Sequence, residues 1–132
     1  MTYAILGWVN LAAIIVMTMP FWLRLINKHA FKSKNATLAR IAKVLRAVHK
    51  PLGLILVVSV IIHGILALGA LRLHTGTLAG AMLIITAALG ATFFFRKKKP
   101  ILIAHRTMAL LLALFVLIHL IFPSALWQLF GI

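Results

Sequence analysis

The chain has 132 residues, 64% of them hydrophobic, and contains no Asp or Glu. A soluble domain carries about a quarter of its residues as charged groups. Here Lys and Arg supply the whole charged 11%, so water is not the solvent for most of the surface. The net charge of +14 is spread between long apolar runs, with no aromatic-interleaved basic face and no DNA-reading motif, which sets nucleic acid aside as a partner. The lack of cysteine excludes disulfides, iron–sulfur clusters and thiolate metal sites on this chain. The length suits one unit with no second, soluble domain.

A membrane span needs about 20 mostly apolar residues to cross ~30 Å of hydrocarbon. Four segments qualify, at about 3–23, 47–71, 77–95 and 101–122. The first has no basic leader, Trp8 and Asn10 interrupt its start, and no small-residue cleavage site follows, so it is expected to stay as a span. Between the first two spans a basic loop runs from Arg24 to Arg46. A short apolar tail, Ser124 to Ile132, follows the fourth.

Orientation follows from the basic residues. The first loop and its flanks carry Arg24, Lys28, Lys32, Lys34, Arg40, Lys43, Arg46 and Lys50. The turn between spans three and four carries Arg96, Lys97, Lys98 and Lys99, with Arg106 just beyond. Only Arg72 falls on the opposite side. The positive-inside rule puts both basic loops in the cytoplasm and both termini outside. The expected fold is therefore an all-α, four-helix integral membrane bundle, multi-pass, in a bacterial or archaeal cell membrane.

Within the first loop, Leu38, Ile41, Ala42 and Leu45 recur at helical spacing, and Asn35 is placed to cap their start. This predicts a basic amphipathic helix on the inner membrane surface, either separate from span two or continuous with it. Such a face is drawn to anionic lipid. It also offers a docking surface to an acidic electron donor.

Six histidines occur. His29 and His74 fall in or beside loops and read as ordinary surface residues. His49 and His63 are fourteen residues apart in span two, as are His105 and His119 in span four. Fourteen residues rise about 21 Å along a helix and return to within about 40° of the starting direction. Each helix therefore shows both imidazoles to one neighbour, one near each membrane face. Spans two and four run the same way, so His49 matches His105 near the cytoplasm and His63 matches His119 nearer the outside.

A weak internal repeat accompanies this. An offset of 56 lays Ala47-Val48-His49-Lys50 over Ile103-Ala104-His105-Arg106, and Val60-Ile61-Ile62-His63 over Val116-Leu117-Ile118-His119. The ends of spans one and three, Phe21-Trp22-Leu23-Arg24 and Phe93-Phe94-Phe95-Arg96, match at an offset of 72.

Two facing imidazoles, one from each helix, are the supply that a bis-histidine haem iron takes on opposite sides of its macrocycle. Zinc would want three or four ligands at one depth. No Cys-x-x-Cys-His motif occurs, so the group would be haem b, two per chain. Arg46, Lys50 and Arg106 stand by the inner pair as counter-charges for propionates or as topology-setting charges. Near the outer pair the comparable polar set is Arg72, His74, Thr75 and Thr77. Gly53, one turn after His49, and Gly64 would let a macrocycle or a helix approach the backbone. Ser59 precedes His63 by one turn and is a candidate to orient its ring. Pro51 is expected to kink span two just beyond His49.

Two histidines on each of two helices, with His-Lys and His-Arg at the inner positions, resemble the core of the transmembrane di-haem cytochromes b. The pattern is similar to the ferric reductase-like transmembrane domain and to the four-helix haem core of quinol:cytochrome c oxidoreductases. Ascorbate-reducible cytochromes b, which spread their ligands over four helices, match less well. The resemblance implies His49 and His105 on an inner haem and His63 and His119 on an outer one. Electrons would pass between them over about 20 Å. It implies an electron-transfer protein or the membrane subunit of a quinol, metal or oxygen reductase. A cytoplasmic reductase or a quinol would feed the inner side, with an acceptor outside and membrane lipid around the helices. The rival expectation is a haem-free membrane anchor or small transport subunit whose histidines make polar contacts between helices.

Overall fold

The computed structural model describes residues 1–30, 35–69 and 72–131. Lys32 and Lys34 of the first basic loop, Leu71 at the expected end of span two, and Ile132 lie outside the described residues. Every regular element among the described residues is helical: α1 (Thr2–His29), α2 (Ala36–Leu68), α3 (Thr75–Arg96), α4 (Lys99–Ile121) and the short α5 (Ala125–Phe130). The first four are each long and apolar enough to cross a membrane. The chain is an all-α, multi-pass integral membrane protein.

The helices exceed the apolar runs at the basic end. The Arg24–Arg46 segment, expected as a loop, is largely helical: α1 continues to His29, and α2 begins at Ala36. The amphipathic turn pattern of Leu38, Ile41, Ala42 and Leu45 is the opening of α2 itself. At 33 residues α2 is about 50 Å long, well beyond the hydrocarbon, so its first turns carry basic side chains into the headgroup region. Asn35 caps this helix as expected. Its Oδ1 accepts the backbone N–H of Thr37 at 2.9 Å and of Leu38 at 3.2 Å, groups that a helix start leaves without internal acceptors. Asn27 of α1 holds the cap, its Oδ1 accepting the Asn35 N–H at 2.7 Å and its Nδ2 donating to the Asn35 carbonyl at 3.2 Å. The helical assignment of α2 continues through Pro51.

The chain divides into two compact units, Met1–Ser59 and Val60–Ile132. In the first, Ala42, Leu56, Asn10 and Pro20 are buried. Ser59 Oγ donates to Asn10 Oδ1 at 2.5 Å, joining α2 to α1 in the apolar zone. In the second, α3 packs along α4. One face of α3 is buried at Thr75, Ala79, Leu83 and Thr86, the spacing of a single helical stripe, and Leu112 of α4 is buried as well. Gly80 turns towards Val60, where a Cβ would sit 3.5 Å from the valine side chain.

Most large apolar side chains stay outside these small cores; Leu54 is 72% exposed and Phe95 80%. Lipid is the solvent that makes such a surface stable, since apolar side chains face hydrocarbon without the cost of water contact. Between α3 and α4 the chain turns at Lys97, whose φ of 52° is left-handed, and Pro100 enters the first turn of α4. The Lys97 ammonium lies 4.5 Å from the centre of the Phe94 ring, a cation–π contact at the helix end.

Candidate haem-ligating histidines

His49, His63, His105 and His119 are all half-buried. In three of them the hydrogen bonding of Nδ1 fixes which ring nitrogen carries the proton. The Nδ1 of His49 lies 3.1 Å from the carbonyl oxygen of Met17 in α1. The Nδ1 of His105 lies 2.8 Å from the carbonyl oxygen of Thr86 in α3. A carbonyl can only accept, so both Nδ1 atoms are donors. The neutral ring then keeps its lone pair on Nε2, the tautomer a metal ligand needs.

His119 reaches the same state by another route. Its Nδ1 is 3.0 Å from Thr75 Oγ1, and the single Thr75 hydroxyl proton goes to the Pro123 carbonyl at 2.7 Å. With that proton committed, the hydroxyl faces His119 as an acceptor, and Nδ1 again donates. Thr75 is buried at 3% exposure, so this relay is held away from solvent.

The α3 backbone is shaped for the two α4 rings. At Gly90, one turn after Thr86, a Cβ would stand 3.1 Å from His105 Cε1 and 3.2 Å from its Nδ1. At Gly76 a Cβ would stand 2.9 Å from His119 Cε1, a separation no ordinary side chain tolerates. Both glycines lie where an imidazole edge meets the helix. Neither was singled out from the sequence, because a glycine in an apolar helix carries no mark of what approaches it. Gly53, expected to admit a macrocycle, faces the Met17 side chain at 3.2 Å from a notional Cβ; Gly64 has nothing within 4 Å.

The sequence match of span ends would pair Met17 with Leu89, but the carbonyl that serves His105 belongs to Thr86, about one turn earlier. Each hairpin thus repeats the contact of a histidine with the preceding helix, while the register of the repeat slips by a turn.

His74 departs from the expectation of an ordinary surface residue. It caps α3, its Nδ1 accepting the Gly76 N–H at 3.2 Å, and its ring meets His119 edge-to-face with centroids 5.6 Å apart. His63 is also within electrostatic reach of His119. In the second unit His119 therefore touches His74 and is hydrogen-bonded to Thr75. Thr77 Oγ1 closes the same loop by donating to the Arg72 carbonyl at 2.7 Å. Ser59, expected to orient His63, donates its proton to Asn10. Asn10 Nδ2 is buried and has no acceptor among the described residues. Arg46 lies beside Arg24 at the basic end of the first unit, and Arg106 is exposed.

No protein-family model, curated protein or solved structure matches the chain. His49, His105 and His119 are each steadied through Nδ1 by an oxygen of a neighbouring element. Histidines that bind a metal are held in this way through their other ring nitrogen.

Proposed function

We propose that the chain is a di-haem b-type membrane cytochrome that carries electrons between the two sides of the bilayer. His49 and His105 would hold the inner haem, and His63 and His119 the outer one. The observation that carries this reading is the shared ring orientation of His49, His105 and His119, each with Nδ1 as hydrogen-bond donor, the tautomer that puts a neutral ring's lone pair on Nε2. The equal spacing of the two histidine pairs supports it from the sequence.

A bound haem supplies one-electron chemistry of its own. The chain's part is to present Nε2 atoms, and the carbonyls of Met17 and Thr86 and the hydroxyl of Thr75 hold the rings in that orientation. The apolar helices keep water from the ligands. Lys50 and Arg106 follow the inner ligands directly in sequence and would offset propionate charge, with Arg46 as a further candidate; Gly53 is the neighbouring small residue. The electron donor would be a cytoplasmic reductase drawn to the basic loops, or a membrane quinol. The acceptor lies outside, and the setting is a bacterial or archaeal cell membrane.

A second reading uses the same contacts. A histidine that donates to a carbonyl on the next helix is also a polar fastener, and a haem-free anchor or small transport subunit would need nothing more. A reduced-minus-oxidised visible spectrum of protein purified from haem-supplied cells separates the two. The cytochrome reading requires b-type absorption bands. Their absence would leave the fastener reading.

A further inference from the structure

A cleft of about 110 Å³ opens in the first unit between the basic ends of α1 and α2, lined by Leu23, Arg24, Asn27, Leu38, Ala42 and Arg46. We propose that this cleft is a binding site for the phosphate of an anionic phospholipid in the cytoplasmic leaflet, with Arg24 and Arg46 as its two guanidinium donors.

Charge is the first argument. The chain has no carboxylate side chain, so neither arginine can find a counter-ion on a side chain of this protein. Neither guanidinium donates a hydrogen bond to any described residue. Two planar forks on one cleft suit the oxygens of a phosphate, which guanidinium groups bind in bidentate fashion.

Depth is the second argument. Arg24 directly follows the apolar run of span one, and Arg46 directly precedes that of span two. Both therefore mark the level at which hydrocarbon gives way to headgroups. Leu23, Leu38 and Ala42 line the cleft with apolar surface beside the polar Asn27, a mixed wall that suits the glycerol region of a lipid better than a fully hydrated free anion. The cytoplasmic leaflet, where the basic loops are assigned, is the one that carries anionic lipid.

The cleft is also braced. The reciprocal Asn27–Asn35 hydrogen bonds tie the end of α1 to the start of α2, and the Asn35 cap fixes the first turn of α2 from which Leu38 projects. This assignment gives Arg46 a lipid partner in place of a haem propionate and stands whether or not haem is bound.

The test uses full-length protein, delipidated in dodecyl maltoside, with binding of phosphatidylglycerol measured by native mass spectrometry. Arg24→Gln/Arg46→Gln should weaken that binding by about tenfold or more, as loss of charge-assisted bonds requires. Lys97→Gln/Lys98→Gln, which removes the same charge elsewhere, should leave it unchanged. Equal losses in the two double variants would overturn the site in favour of diffuse charge attraction. Displacement of the lipid by equimolar inorganic phosphate, or equal binding of phosphatidylcholine, would overturn the lipid assignment. Should the glutamine pair fail to fold, Arg24→Lys/Arg46→Lys keeps the charge but loses the forks. It should weaken binding several-fold, and undiminished binding would sink the proposal.

Discussion

Thr75 accepts the Nδ1 proton of His119 at 3.0 Å while giving its own proton to the carbonyl of Pro123 at 2.7 Å. One buried hydroxyl thus sets the tautomer of a histidine on another helix and ties the end of α4 to the start of α3. Thr75→Val keeps the shape and removes both bonds. It should lower affinity for the proposed outer haem by about 10–100-fold, the usual cost of losing the hydrogen-bond partner that orients a ligating histidine. Thr75→Ser should restore it. Haem titration of the apoprotein followed by absorbance makes the comparison. Equal affinity in the valine variant would remove Thr75 from the site.

Gly76 and Gly90 test the packing of the α4 rings. An alanine at Gly76 places its Cβ 2.9 Å from His119 Cε1, so the ring must move; at Gly90 the approach to His105 is 3.1 Å. Gly76→Ala should cost the outer haem and spare the inner one. Gly90→Ala should perturb the inner one with a smaller effect, because a few tenths of an ångström of movement relieve it. Haem content per chain reads both outcomes. Unchanged content in both variants would mean that the rings do not depend on these close approaches.

Much of the fold was legible because span helices announce themselves by hydropathy. The helical pattern of Leu38, Ile41, Ala42 and Leu45 and the cap at Asn35 were legible as well. The extension of α1 to His29 was not, since a polar helix end outside the hydrocarbon looks like a basic loop. The four histidines stood out by spacing, whereas their partners did not. Met17 and Thr86 act through backbone carbonyls, which every residue has, so no side-chain pattern marks them. His74 reads from the sequence as a surface residue near the outer pair, and its position beside a loop hides its contact with a ring on another helix.

The Asn10–Ser59 pair should hold α1 against α2. Ser59→Ala strips Asn10 Oδ1 of its donor in a buried setting where Nδ2 already has no described acceptor. An unpaired buried group costs about 1–3 kcal/mol. Thermal unfolding in detergent should therefore show a lower midpoint. A midpoint equal to that of the parent would show that the bond contributes nothing.

The absence of cysteine makes the topology directly measurable. A single cysteine at Thr2 should react with a membrane-impermeant maleimide on intact cells. One at Lys98, in the α3–α4 turn, should react only after lysis. The reverse pattern would invert the orientation and exchange the inner and outer histidine pairs.

The most direct test of the central claim is the haem-to-protein ratio, by pyridine haemochromogen assay, of the parent chain and of His63→Ala. Two haems per chain in the parent and one in the variant, with the remaining b-type spectrum intact, is the predicted result. No haem in the parent, or loss of both or neither in His63→Ala, would contradict the assignment of His49 with His105 and His63 with His119.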